Sequence, residues 1–384
     1  MLLVAVLLAL GAGNDTLHRT ELLLKTPRPR DPVLGGERGK LVVSVWIPGG
    51  VKTVRGAVCN PFAREGHVGA HWEAACRHWG FAHVQADFDA VKKDELGLLE
   101  QGLKDLAKTS GHPELATMPL FFLGMSRGGG MSMQLAELMP ARTLAAVPVC
   151  LEVGPSTLAG RAIPVVTIFG EKDGKQMELL SARLPKERAL GARFAIAVQW
   201  NRRHEFGQAN NLAFVVLDEV ISRRLPRDPG PLHEIPLKDG WLGDVSGWGK
   251  DGQRPAVAAW ADYKGERDQA CWLPSRRSAF VWRAFVSGTR DVTFSSPPGL
   301  GDKQPFAVLP AGKTADVKLS LSDKLKPAKV ELWDGDELLA SKNKGPWTFA
   351  VKLKPGIHSL YAVVSQDGAA ERSSRPHTVV VGAE

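Results

Sequence analysis

The stretch PLFFLGMSRGGGM, Pro119 to Met131, runs an apolar segment straight into a serine enclosed by glycines. PLFFLGM has the length and composition of a buried strand, and GGGMSMQLAELM reads as a helix that begins at the glycines. Ser126 falls at the joint. Gly124-Met125-Ser126-Arg127-Gly128 therefore fits G-x-S-x-G at a strand-to-helix turn, where so tight a reversal leaves no room for a β-carbon two residues before or after the serine. A serine held there stands above the sheet at the positive end of a helix, whose free N–H groups favour a developing anion. The competing reading is a serine that only caps the helix, a common role for this residue.

Working outward, residues 40 to 225 alternate strand-like and helix-like runs. KLVVSVWIP, VRGAVCN, FAHVQAD, LAAVPVC, IPVVTIF and RFAIAVQW are the other strands expected. HVGAHWEAACRHWG, LGLLEQGLKDLAK and NNLAFVVLDEVISRRL are the helices, the second with Leu99, Leu103 and Leu106 on one face. That alternation predicts an α/β domain built on a doubly wound, mostly parallel sheet. If Ser126 is a nucleophile, an acid should follow a later strand and a histidine the last one. After IPVVTIF comes Gly170-Glu171-Lys172-Asp173-Gly174, with Glu171 and Asp173 both available, and after RFAIAVQW comes Asn201-Arg202-Arg203-His204-Glu205. Only four histidines follow the acid turn; His233 lies in a proline-rich linker and His358 and His377 in a region of different periodicity, which leaves His204. Between the acids, Asp173 lies deeper in the loop with Gly174 behind it, where a short side chain can be held rigidly.

Composition excludes some function classes. The 384-residue chain carries 49 Lys and Arg against 41 Asp and Glu, a formal net charge of +8, but the basic residues are scattered and form no nucleic-acid motif. The opening MLLVAVLLALGAG has the apolar stretch and small residues of a signal peptide over residues 1–12; the basic start is missing, which leaves a buried first element of the fold as the alternative, but export to the periplasm or medium is expected. It is too short to span a bilayer. Cys59, Cys76, Cys150 and Cys271 show no metal-ligand spacing and read as buried thiols, one disulfide among them remaining an alternative. His67 and His71 stand four apart, but Gly69 between them weakens the helix a metal pair would need, so neither a metal nor an organic cofactor is expected.

Beyond Leu225 the text turns proline-rich, and residues 229–305 form a tryptophan-dense linker or subdomain expected to pack on a catalytic domain of residues 13–228. Trp241, Trp248 and Trp260 read as packing residues rather than an aromatic rim to a site. From residue 306 to 384 the period becomes two, in ADVKLSLS, AKVELWDG, ELLASK, WTFAVKL, HSLYAVVS and HTVVV, with Asp334-Gly335 as a hairpin signal. This segment is expected to fold independently, so that truncation near Phe306 would spare chemistry.

On GMSRG, GEKD and RRHEFG in this order, the chain resembles the α/β-hydrolase superfamily over about residues 20 to 225, in particular secreted bacterial serine esterases. The last segment, with ELWDGDELLA and LKPGIHSLYAVV, resembles bacterial immunoglobulin-like sandwich modules. The first resemblance implies a Ser126, Asp173, His204 triad with an oxyanion hole of backbone N–H groups from Arg127 and, by position, Phe62. Where many relatives have a His-Gly loop this chain has Cys59-Asn60-Pro61-Phe62, and Pro61 has no N–H to donate. The implied activity is hydrolysis of a carboxylic ester, small or polymer-borne, through an acyl-enzyme. A peptidase or amidase with the same triad, or an inactive surface or carbohydrate-binding protein, are the alternatives. The C-terminal module is the part that would contact carbohydrate or a cell surface, and no nucleic-acid partner or membrane span is expected.

Overall fold

The computed structural model describes residues 15–25, 39–63, 69–88, 95–247, 254–297 and 308–382. The expected signal peptide, His67, Trp248 and the boundary at Phe306 lie outside the described residues. Among the described residues no helix is long and apolar enough to cross a membrane.

The elements of the first two thirds follow in chain order as β1 (Thr16–Leu23), β2 (Lys40–Ile47), β3 (Gly56–Asn60), α1 (Ala70–Trp79), β4 (Phe81–Ala86), α2 (Leu98–Thr109), β5 (Leu120–Met125), α3 (Arg127–Leu138), β6 (Thr143–Val149), α4 (Leu158–Arg161), β7 (Val165–Gly170), α5 (Gln176–Ala189), β8 (Phe194–Gln199) and α6 (Ala209–Arg224). The strands form one eight-stranded sheet in the order β1-β2-β4-β3-β5-β6-β7-β8. β2 runs antiparallel to both β1 and β4, and every pairing from β4 to β8 is parallel. A parallel sheet has helices on both faces, so its strands are buried on both sides; β4, β6, β7 and β8 accordingly show no exposed residue. The loops after β5, β7 and β8 all leave from the same C-terminal edge, which brings the segments holding Ser126, Asp173 and His204 to one side of the sheet.

Three elements were not foreseen, among them the one-turn helix α4. β1, TLHRTELL, is an edge strand whose polar residues hide its period, and α5 carries Pro185 in its interior, which removes one helical hydrogen bond. Leu180, Leu184 and Arg188, four apart, still give α5 a buried stripe.

The tryptophan-rich region builds a small sheet, order β10-β9-β11, from β9 (Trp241–Gly243), β10 (Val257–Ala259) and β11 (Cys271–Leu273), followed by α7 (Arg276–Ser287). Ser275 opens α7 with a capping box shared with Ser278. Trp282 is fully buried and donates its indole N–H to the Ile196 carbonyl, pinning α7 beside β8. Trp241 meets Phe280 edge-on at 6.1 Å between ring centroids, and Trp260 lies under the Arg188 and Arg267 guanidinium groups.

The C-terminal strands are β12 (Val292–Ser296), β13 (Val308–Pro310), β14 (Thr314–Leu321), β15 (Pro327–Asp334), β16 (Glu337–Lys342), β17 (Thr348–Lys352), β18 (Gly356–Gln366), β19 (Ala369–Ser373) and β20 (His377–Gly382). They make a three-stranded sheet, β12-β14-β17, and a larger one, β13-β20-β18-β15-β16 with β19 on β18. Gly335, at φ 57°, turns the β15–β16 hairpin as Asp334-Gly335 suggested. Val317, Phe349 and Val351 from one sheet and Val330, Leu360, Val379 and Val381 from the other share a single core.

The opposite face of the larger sheet is buried as well. Val380 and Ile357 join the core of the first two thirds, while Tyr361 and Val363 pack with Ala284 of α7. Period-two alternation sends neighbouring residues to opposite faces, so one strand serves two cores. Independent folding of the module, expected from the sequence, therefore coexists with an apolar interface to the first two thirds, and β12, which begins at Val292, pairs with β14 of the all-β sheets.

Candidate active site

Ser126 follows β5 directly and α3 begins at the next residue. Its backbone stands at φ 55°, ψ −123°, a region that side-chain-bearing residues rarely occupy and that typically costs about 1–3 kcal/mol. Two hydrogen bonds hold it there: Ser126 N–H to the Val149 carbonyl at 2.7 Å, and Gly130 N–H to the Ser126 carbonyl at 3.1 Å. A β-carbon on Gly124 would lie 2.4 Å from the Gly128 carbonyl oxygen, and one on Gly128 would lie 2.7 Å from Phe62 Cβ. The glycines of G-x-S-x-G are thus required by contact between the two arms of the turn and by the neighbouring loop. The Ser126 side chain makes no helix-capping hydrogen bond. A serine placed only to cap would adopt an extended backbone and accept from the first turn, and Ser126 does neither.

His204 Nδ1 lies 3.0 Å from Asp173 Oδ1 and 3.1 Å from Oδ2. A carboxylate only accepts, so Nδ1 carries the proton and Nε2 keeps its lone pair free. Gln176 Nε2 donates to Asp173 Oδ2 at 2.7 Å and fixes the carboxylate from the other side. Glu171, the other acid of the turn, accepts instead from the Asn201 N–H at 2.8 Å. Gly170 lets the acid turn and the histidine loop touch, since a β-carbon there would meet the carbonyl oxygens of Arg203 at 2.4 Å and Arg202 at 2.6 Å. Among the described residues no hydrogen bond joins Ser126 Oγ to His204, whose side chain is 48% exposed.

Two supports of the histidine loop went unread in the sequence. Gln199, buried at the end of β8, accepts from the Gln208 N–H at 2.8 Å and donates to the Phe206 carbonyl at 3.2 Å, so it spans the loop. Cys150, just past β6 at φ 55°, donates its thiol to the Glu205 carbonyl at 3.2 Å. Burial first, and the Asp173 charge second, push this thiol up to about 12. Cys150, Asp173 and His204 present ligand atoms within 4.8 Å of one another, a set able to surround a metal ion. The bond from the thiol to the Glu205 carbonyl makes Cys150 a brace for the loop. All four cysteines are free and buried. His71 lies 3.3 Å from the Asn210 carboxamide nitrogen.

Arg127 supplies the first backbone N–H of α3, directly after Ser126. Phe62 is in the expected neighbourhood, with its ring beneath the Arg127 guanidinium at 5.1 Å. Its N–H, however, is donated to Asn60 Oδ1 at 3.1 Å, the turn that Asn two residues upstream favours. An oxyanion at Phe62 would have to compete with that carboxamide.

No family model and no curated protein matches this chain. Similar solved structures include an S-formylglutathione hydrolase from Agrobacterium tumefaciens, at 12% identity over 56% of this chain and 98% of that one, TM-score 0.35. A dienelactone hydrolase from Anabaena variabilis aligns at 17% identity over 54% and 99%, TM-score 0.35, and a lidless α/β serine hydrolase from Xanthomonas campestris at 19% over 55% and 97%, TM-score 0.34. Fibronectin(III)-like modules of Clostridium thermocellum CbhA align at 26% identity over 24% of this chain and 94% of that one, TM-score 0.21. With its strand order, its antiparallel β2 and the serine turn after β5, the chain has the α/β-hydrolase fold, followed by an all-β C-terminal module.

Proposed function

We propose that this chain is a serine hydrolase that cleaves carboxylic esters through an acyl-enzyme. The observation that carries the reading is His204 Nδ1 bound to Asp173 at the same sheet edge as a serine in the strained turn after β5. Ser126 Oγ attacks the ester carbonyl while His204 Nε2 takes its proton. Asp173 keeps the imidazole in the tautomer that can accept, and steadies its charge once protonated. The tetrahedral oxyanion forms against the N–H groups at the start of α3, and loss of one such donor typically costs about 3 kcal/mol. Proton return from His204 releases the alcohol, and water repeats the sequence on the acyl group.

A fluorophosphonate probe followed by peptide mass spectrometry tests the assignment. The expected result is one adduct, on the peptide containing Ser126, lost in Ser126→Ala and accompanied by hydrolysis of short-chain aryl esters. A folded protein that takes up no probe, or takes it up equally in Ser126→Ala, would overturn it.

A further inference from the structure

A cleft of about 210 Å³ opens where the histidine loop, the approach to β12 and the C-terminal module meet. Arg202 and Gln208 line it from the loop after β8, Thr289, Arg290 and Phe294 from β12 and its approach, and Arg375 from the turn between β19 and β20. Ser126 and His204 are not among its walls.

Three guanidinium groups converge here against little negative charge. Glu205 reaches Arg202 at 3.3 Å, and Arg290 has no acidic partner among the described residues. Arg375 is tied to the Trp200 carbonyl at 2.9 Å, a neutral acceptor. Burial first, and then repulsion from Arg202 and Arg290, lower the Arg375 pKa to about 10, with Glu205 offsetting only part. Arginine keeps its charge in proteins, so half-buried Arg202 and Arg375 and exposed Arg290 leave the cleft with an excess of positive charge over the one carboxylate of Glu205.

An independent observation concerns hydrogen bonding. Arg202 Nε, Thr289 Oγ1 and Gln208 Oε1 are buried without a partner. The first two are donors, and a carboxamide can present either end, so the unsatisfied groups suit an acceptor with several oxygens. Beside them Phe294 stacks on His377 at 4.6 Å between centroids, an apolar wall for the body of a ligand.

We propose that this cleft binds a small organic anion, a carboxylate or phosphate carried on a body of about monosaccharide size. Arginine forks match the planar oxygens of carboxylate and the tetrahedral oxygens of phosphate, Thr289 adds a hydroxyl donor, and the Phe294–His377 stack covers the ring or chain. The site is distinct from the proposed catalytic centre, although Arg202 stands two residues from His204.

The test is isothermal titration of the full chain, at constant ionic strength, with glucuronate, inorganic phosphate and glucose. Saturable binding of glucuronate or phosphate and none of glucose is expected, and the tighter of the two tells carboxylate from phosphate. Arg290 is exposed, so Arg290→Gln should fold normally, which a melting curve checks; it should weaken binding about tenfold, with Arg290→Lys recovering part. No saturable binding of either anion, equal binding of glucose, or unchanged affinity in Arg290→Gln would each overturn the proposal. None of these readouts depends on ester hydrolysis, so failure here leaves the catalytic reading untouched.

Discussion

Replacing Asp173 by Asn removes one charge and almost no volume, so it isolates what the carboxylate does for His204. Both carboxylate oxygens lie about 3 Å from Nδ1, at 3.0 and 3.1 Å. An asparagine in the same rotamer therefore sets its NH2 close to Nδ1 whichever way the amide turns, and Gln176, donating at the Oδ2 side, further favours oxygen there. Two N–H groups cannot share that contact. The imidazole moves its proton to Nε2, where it can no longer accept from Ser126, and the charge that would steady an imidazolium is gone. A comparable change in serine proteases lowers kcat about 10⁴-fold, or about 5.5 kcal/mol at 1.36 kcal/mol per decade. Glu171→Gln is the control: its Oε2 accepts only from the Asn201 N–H, and a glutamine oxygen can still accept, so its kcat should stay within about threefold, the scale of one modest hydrogen bond. Steady-state kinetics on a short-chain aryl ester, with circular dichroism confirming both folds, decides the matter. A crippled Glu171→Gln beside a near-normal Asp173→Asn would refute the reasoning and move the orienting acid.

Gly170→Ala should cut kcat and cost about 1–3 kcal/mol of stability, because the new methyl meets backbone oxygens of Arg202 and Arg203 and not a side chain that can move; unchanged kcat and melting temperature would contradict the packing. In the C-terminal module burial opposes the charge of His358, but Asp334 at 2.6 Å from Nδ1 and the Lys354 carbonyl at 2.7 Å from Nε2 outweigh it, so its pKa is raised. A raised histidine stabilises fully below its unfolded value of about 6.5 and loses that contribution as pH climbs through the folded value. The melting temperature of His358→Gln should therefore trail the parent most near pH 6 and converge on it toward pH 9; a gap that does not change with pH would rule this out. Truncation after Ser287 should destabilise the α/β domain, since Val380 and Ile357 leave its core and each buried aliphatic side chain contributes about 1.5–3 kcal/mol. A soluble fragment melting at the parent's temperature would show that the α/β domain does not depend on the module.

The α/β fold was legible because its information is local. Apolar runs of strand length, helices with one apolar face and glycines at a single sharp turn can each be read from neighbours in the chain, and the serine turn between Gly124 and Gly128 needed nothing more. His204 was singled out by elimination among the histidines that follow the acid turn, and it stands within hydrogen-bond reach of Asp173. β1 and α5 were hidden where local signals conflict, in a polar edge strand and in a helix carrying Pro185. What only the tertiary structure decided depends on distance between parts remote in sequence. Asp173 faces His204 and Glu171 faces Asn201 because of how two loops from adjacent strands meet across Gly170. Gln199 and Cys150 brace the histidine loop from the ends of two strands, and the Phe62 N–H turns to Asn60. The alternation of β20 was plain in HTVVV, but a period of two says only that there are two faces. That Val379 and Val381 face one core and Val380 another follows from the helices the sheet is laid against, as does the meeting of Arg202, Arg290 and Arg375 from three separate segments. Periodicity determines which side chains share a face, and only packing determines what each face meets.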